Sequence, residues 1–577
     1  MATAAPRAMA SVPPSTLRVA AAAGLMVIGA APLAAQESAG LPAGPRGAPV
    51  GGASLGAPLE PFGGARDPAS GRAAPDPASA PPVRLGPFGA PFAAPGEAAA
   101  PDDPGRAWTI VPSIAIDVGA SNNVFQTRND TRSDVFTNIT PGILIAGASN
   151  RVRATISYAP TATGYATYTS QNSFAQFGNA QILAELVPDA LFLDIRGSAS
   201  LGTTSGGVVP DNVLQSNRND QVQTYLVQVS PYYIHRFGST ATAQLGYTFA
   251  YSVQDGTTQF LQPGATLPSF QNQDYISNRG YLVVRSGEDF GPLAVQGRVD
   301  GTAFSGTGVY DGAHAFVTAL EARYSITPTI AVLLEGGYEN IEYGGTNPAR
   351  ISDAIWSVGV RLNPTPDSFV IARYGHRGGF DSPALDAGVQ LGGFTRLTAS
   401  YVERLATSAI NAQSLLDTTT LDALGNPVDA ATGAPVLYAN SFSPVQSGLF
   451  RTKTGSVALT QSWPRDSITV SAFYQQQDPV SAAPGTQIVE STSYYGGIAW
   501  THELTPATAL NLGVQVGRTE YGNQPSTDVI FASGALSHQI NERLSGVFRV
   551  LYSTRSSSVP ANEYSQAIVL AGLRQTF

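Results

Sequence analysis

Five histidines, His235, His314, His376, His502 and His538, are the side chains best suited to acid–base or metal chemistry in this chain. No two stand at metal-ligand spacing and no HExxH segment occurs, so the sequence predicts no metal site and no cofactor. The densest neighbourhood is Tyr374-Gly375-His376-Arg377 followed by Asp381 and Ser382, which contains the residue types of a hydrolase. It lacks a His-x-Ser spacing, and the expected reading is a chain without catalytic residues. Glu335 and Glu339 share one strand face and read as solvated carboxylates rather than an acid/base pair.

Arginine offers a different chemistry. Lys453 is the only lysine among 32 basic residues. Arg151, Arg153, Arg196, Arg298, Arg323, Arg361, Arg373, Arg396, Arg404, Arg549 and Arg574 fall on polar stripes of the sequence. Asp117, Asp194, Asp300, Glu321, Glu335, Glu339 and Asp353 share those stripes, leaving a basic excess in a chain of formal charge -9. Guanidinium groups lining a water-filled passage favour anions or acidic sugars. The alternative is pairing with neighbouring carboxylates, as Arg298/Asp300 and Glu321/Arg323 suggest, with lysine scarce through base composition alone.

The elements that must carry these stripes are strands. Trp108, Ile110, Pro112, Ile114, Ile116 and Val118 alternate with Thr109, Ser113, Ala115, Asp117 and Gly119, which is the period of a strand with one apolar face. The pattern recurs along the chain in runs longer than the usual five or six residues of globular strands, and long enough to cross a bilayer at a tilt. Charged residues are 13% of the chain and apolar residues 43%, and beyond residue 36 no apolar run reaches the length of a spanning helix. Together these indicate an all-β transmembrane antiparallel up-and-down barrel, in which only alternate residues meet lipid.

The connections are lopsided. Ten tight turns fall near Asn150, Pro188, Gly238, Pro292, Pro328, Pro364, Gly392, Pro464, Pro506 and Glu542. Longer polar loops lie between them, including 205–217, 255–272 and the widest, 407–447. Ten short turns with both chain ends on their side give 22 strands, within a range of 18–22. The last strand places Ala567, Val569, Ala571, Leu573 and Phe577 on one face. A terminal Phe577 resembles the signal read by the barrel-assembly machinery, although Gln575 occupies a position that is usually apolar or Tyr.

The N-terminal region reads differently. Arg7 and Arg18 precede an Ala-rich apolar core and Leu33-Ala34-Ala35, so residues 1–35 are expected to be a secretory signal peptide. Residues 36–106 are rich in Ala, Pro and Gly and are expected to be a disordered periplasmic segment, a spacer or a tether for a periplasmic partner. Residues 107–577 then form the barrel, located in the cell outer membrane. The absence of cysteine excludes disulfides, thiolate metal sites and a lipid anchor at the cleavage point. Expected partners are outer-membrane lipid, lipopolysaccharide and the assembly machinery; the dilute charge indicates no nucleic acid.

Two stretches carry a family resemblance. Ser121-Asn122-Asn123-Val124-Phe125 with Ser133-Asp134-Val135 and Thr140-Pro141-Gly142-Ile143 resembles the opening hairpin of the β-barrel porin-2 family. Gly378-Gly379-Phe380-Asp381-Ser382 with Gly393-Phe394-Thr395-Arg396-Leu397-Thr398-Ala399-Ser400-Tyr401 resembles a related group found near exopolysaccharide and protein-sorting loci. Asn122 departs from the Asp usual at its position. The resemblance implies a porin-like channel for small solutes or exported polysaccharide. A non-conducting scaffold displaying the 407–447 loop is the alternative, and an outer-membrane hydrolase a third.

Overall fold

In a strand, successive side chains point to opposite sides, so an alternating sequence can satisfy lipid on one face and water on the other only by closing on itself. The computed structural model describes residues 108–206, 210–257, 270–366, 368–421, 426–429, 443–522, 524–557 and 563–577. Residues 1–35, expected to be a signal peptide, and residues 36–106, expected to be a periplasmic segment, lie outside the described residues. The described residues form a closed antiparallel barrel of 22 strands. Closure is made by the first strand, Trp108–Ser121, pairing with the last, Tyr564–Thr576, in register from Ser113 opposite Thr576 to Ser121 opposite Ile568.

All ten expected short turns connect neighbouring strands on the side of the chain ends. Two strands are interrupted, Val152–Tyr158 with Thr161–Tyr165 and Ser173–Ala175 with Gly178–Val187. At the first break Pro160 has no N–H to give a ladder.

The outward stripes are exposed and apolar, among them Ile110, Leu245, Leu320, Val358, Val516 and Leu573. Trp108, Phe394, Trp463 and Phe577 mark the exposed aromatic edge on the short-turn side, and Tyr247, Tyr338, Trp356, Tyr374 and Tyr494 mark the opposite edge. An apolar band between two aromatic girdles is what the two membrane interfaces select. Beyond the far girdle the outward stripes become charged and self-paired, as in Arg350–Glu342 at 2.9 Å and Arg518–Asp528 at 2.7 Å.

The described parts of the long loops fold inward over the far end. Segment 308–310 packs against the strand ends near Leu449 and Ala482, and the Thr346 N–H donates to the Ala482 carbonyl at 2.9 Å. Tyr275, Val309, Tyr310, Ile341 and Tyr343 are fully buried inside the barrel as one apolar cluster.

Candidate functional site in the barrel lumen

From Thr407 the chain enters the lumen as helix α1, Ser408–Thr418, followed by a small hairpin of Thr419–Leu421 with Pro427–Asp429. The helix starts where Thr407 accepts a hydrogen bond from the Ile410 N–H at 3.1 Å, a standard N-cap. Ala409, Ile410, Ala412 and Leu416 are buried. The remaining contacts are polar and come from distant strands.

At the helix C-terminus, Arg196 donates to the carbonyls of Leu416, Asp417 and Thr419 at 2.6, 2.8 and 3.3 Å. A helix ends with unpartnered carbonyls and negative dipole, and a guanidinium satisfies both. Arg196 is itself held by Asp194 at 3.0 Å, and both side chains are buried. Gln228 donates to the Asp417 carboxylate at 2.6 Å, and Tyr275 donates to Gln413 at 2.7 Å. Arg404 reaches Ser414, Tyr310 meets Thr407, and Gln181 accepts from Thr420 and Leu421. Burial pushes the Asp417 carboxyl up to about 6 against the pull of Arg196, Gln228 and Arg279.

Beside the helix, the inward stripes of five strands carry a buried ionic ladder. Arg279 and Arg298 pair with Asp300 at 3.1 and 2.7 Å, and Arg373 pairs with Glu321 at 2.9 Å. Arg377 pairs with Glu335, and Glu339 accepts from the Gly378 N–H. Four arginines face four carboxylates here, so this part of the lumen carries no net charge. Glu335 and Glu339 are structural partners in the dry wall rather than the solvated groups expected.

The other expected residues divide by level. Arg153, Arg323, Arg361, Arg396, Arg549 and Arg574 point inward on the half of the barrel nearest the short turns and are exposed or half-buried. Arg285, missed in the sequence reading, joins them and donates to Gln296 at 2.7 Å. Arg151 is placed differently: it lies in the exposed turn closed by the Ser149–Val152 hydrogen bond, outside the wall. Arg279 and Arg377 were also missed, though the alternation around Tyr275, Ser277 and Tyr281 marks Arg279 as inward. Nothing in the sequence of the loop marks Asp417.

The His376 neighbourhood does not assemble a nucleophile. His376 lies opposite Trp356 on the outward face and contacts Asp353 at 3.0 Å and Asp381 at 2.5 Å. Ser382 lies opposite Gly375 on the inward stripe. Among the described residues no cluster of His, Asp or Glu is arranged to hold a metal ion.

A closed 22-strand barrel with an apolar outer band, polar inward stripes and loops gathered at one end is an outer-membrane β-barrel. No protein-family model matches the chain, and no curated protein matches it. Three solved structures similar to it are outer-membrane receptors. The ferric-catecholate import receptor Fiu from E. coli K12 in its closed form is 13% identical over 80% of this chain and 81% of that chain, with a TM-score of 0.42. The siderophore receptor PiuA from Acinetobacter baumannii is 10% identical over 81% and 82%, with a TM-score of 0.45. The ferric preacinetobactin receptor BauA, also from Acinetobacter baumannii, is 11% identical over 80% of both chains, with a TM-score of 0.41. Likeness at these values carries no statement about cargo.

Proposed function

We propose that this protein is a gated channel for anionic solutes, with α1 as the gate. The observation that carries the reading is the attachment of α1 to the wall. Its C-terminal end is held by a single guanidinium and a few side-chain hydrogen bonds, contacts that water can replace when the helix moves. A permanent plug would gain more from apolar packing all round. Below the helix the inward arginines outnumber the inward carboxylates, which favours phosphate, carboxylate or acidic-sugar cargo. The porin-2 resemblance adds an exported acidic polysaccharide as one member of that class.

Planar-bilayer recording of the refolded full chain tests the gate. The wild type is expected to open rarely, and removal of residues 408–421 is expected to give a persistently conducting pore. A barrel that stays silent without this segment favours the second reading, a non-conducting scaffold, which draws support from the packed apolar cluster at the loop end. Under a salt gradient the open pore is expected to show an anion-selective reversal potential. Cation selectivity would remove the arginine part of the proposal and leave the gate.

A further inference from the structure

Neither the channel nor the gate uses the stretch Ser121-Asn122-Asn123-Val124-Phe125. It begins where the ladder that closes the barrel ends. The first and last strands pair as far as Ser121 opposite Ile568, whereas the last strand starts earlier, at Tyr564. Residues 564–567 are paired on one side with strand Leu544–Ser557 and have no ladder partner in the first strand on the other. An open strand edge leaves backbone N–H and C=O groups to be satisfied by other means.

Side chains of the stretch take the place of the missing ladder. Asn122 extends it by one step: its N–H donates to the Ala567 carbonyl at 3.2 Å, and its side-chain oxygen accepts from the Ala567 N–H at 2.8 Å. Asn123 is buried, and its side-chain amide donates to the Ser565 carbonyl at 3.0 Å. The same amide exchanges hydrogen bonds with the Thr127 backbone in both directions, at 2.7 and 3.1 Å, which fixes the turn. Buried Gln566 answers from the last strand. It donates to the Ser121 hydroxyl at 3.2 Å and the Asn123 carbonyl at 3.0 Å, and accepts from Gln126 at 3.1 Å.

The rest of the hairpin braces these contacts. Val124 packs with Phe136, Ile568 and Leu570 in one buried cluster at the seam. The Ser133 hydroxyl donates to the Asn122 carbonyl at 3.3 Å. Asp134 accepts from the N–H groups of Thr167 and Tyr168 at 2.9 and 2.7 Å, and Tyr168 meets the Phe125 ring edge-on at 5.2 Å. The network continues into the described loop segment 213–217. Gln566 donates to the Gln215 carbonyl at 3.4 Å, the Asn217 N–H donates to Gln126 at 3.2 Å, and the Asn217 side chain donates to the Phe125 carbonyl at 3.3 Å.

We propose that Ser121–Phe125 is a closure clasp, which fastens the open edge of the last strand to the first and anchors segment 213–217 at the seam. Asn123 and Ser565 stand 442 positions apart in the chain, so their contact forms only when the two ends of the strand order meet. The anchor of segment 213–217 is lost when they part. The two asparagines have different requirements. Asn123 must donate and accept, which an amide does and a carboxylate does not. Asn122 uses its side chain as an acceptor toward Ala567, so an aspartate serves there equally, and Asp is the residue usual at this position in the family that the stretch resembles. The clasp acts on the wall, and its role does not depend on the lumen conducting ions.

Hydrogen exchange of the full chain refolded in phosphatidylcholine vesicles, read peptide by peptide by mass spectrometry, tests the clasp. Asn123→Asp keeps the acceptor for the Thr127 N–H and loses the donor to Ser565. Exchange in 564–570 and in 119–123 is expected to rise about ten-fold, the factor that one lost buried hydrogen bond supplies. Exchange in 213–220 is expected to rise with it, while strand Ile330–Tyr343, halfway round the barrel, keeps its wild-type rate. Asn122→Asp is expected to match the wild type throughout. Gln446→Glu removes an equally buried donor, to the Val489 carbonyl at 3.1 Å, away from the seam, and heat-modifiable migration reports whether each variant folds. An Asn123→Asp chain that fails to fold beside a folded Gln446→Glu also supports the clasp. Wild-type exchange in 564–570 of a folded Asn123→Asp barrel would overturn it. So would a rise of the same size in Ile330–Tyr343 or in Asn122→Asp, or the failure of both Asn123→Asp and Gln446→Glu to fold.

Discussion

Replacing Arg196 with alanine is expected to free α1 from the wall and raise the open fraction of the channel by roughly 10²–10³-fold, the range that follows from breaking a buried ion pair. Two costs add in the docked state of the variant. Asp194 keeps its carboxylate in a dry wall without the guanidinium that compensated it. The carbonyls of Leu416, Asp417 and Thr419 lose their shared donor at the negative end of the helix. Both costs vanish when the helix leaves and water enters, so the variant shifts toward the open state rather than losing the barrel. Arg196→Lys is expected to fall between alanine and wild type, since an ammonium keeps the charge but cannot span the carbonyls and Asp194 as a planar fork. The double variant Asp194→Ala/Arg196→Ala is expected to recover part of the loss by removing the stranded carboxylate. Single-channel open probability measures the effect, and thermolysin cleavage within 408–421 measures helix release without requiring conduction. An Arg196→Ala protein with wild-type behaviour in both assays would show that the latch does not hold the gate.

The wall was legible in the sequence because its chemistry is local. A short turn needs residues with a fixed or positive φ, so Pro188, Pro292, Pro328, Pro364 and Gly392 announce themselves, and all ten turn positions match. Lipid on one side forces strict alternation, so Trp108 to Val118 fall on the correct face. Parity fails where the strand stops, and for that reason Arg151 was assigned to the wall although it sits in a turn. It fails also for partners. Glu321 was matched to Arg323, two residues along its own strand, whereas its salt bridge is to Arg373 on a strand three positions away. Adjacent strands stand about 4.8 Å apart, so a pairing at that remove depends on strand order and closure of the barrel and not on any one segment. Helix α1 was the least legible part. Its segment, Ser408-Ala409-Ile410-Asn411-Ala412-Gln413-Ser414-Leu415-Leu416-Asp417-Thr418, has only a weakly sided pattern. It is held by Arg196, Gln228 and Tyr275, residues far from it in the chain.

Acidification is expected to close the gate further, through Asp417. The docked carboxyl titrates at about 6 because burial disfavours its charged form. Released into water, it returns to the ordinary value of 3.8. An acid whose docked value is raised binds its proton more tightly when docked, so protonation favours docking. The contribution is fully present below the released value and is lost as pH rises through the docked value, which sets the window between about 4 and 6. The displacement from 3.8 to about 6 corresponds to roughly a hundred-fold change in the docking equilibrium across that window. The groups facing Asp417 are Arg196 and Asp194 on one strand, Gln228 on the next, and Arg279, Tyr275 and Tyr281 on a third. Of these, Asp194 is the one other carboxylate, and it is paired with Arg196 at 3.0 Å. Open probability measured from pH 4 to pH 7 is therefore expected to rise with pH and level off above the docked value. Asp417→Asn removes the titrating group while keeping an acceptor for Gln228, so its open probability should be low and flat over the same range. A wild-type curve as flat as that of Asp417→Asn would show that this carboxyl does not control docking. A curve falling with pH would place the controlling proton on another group.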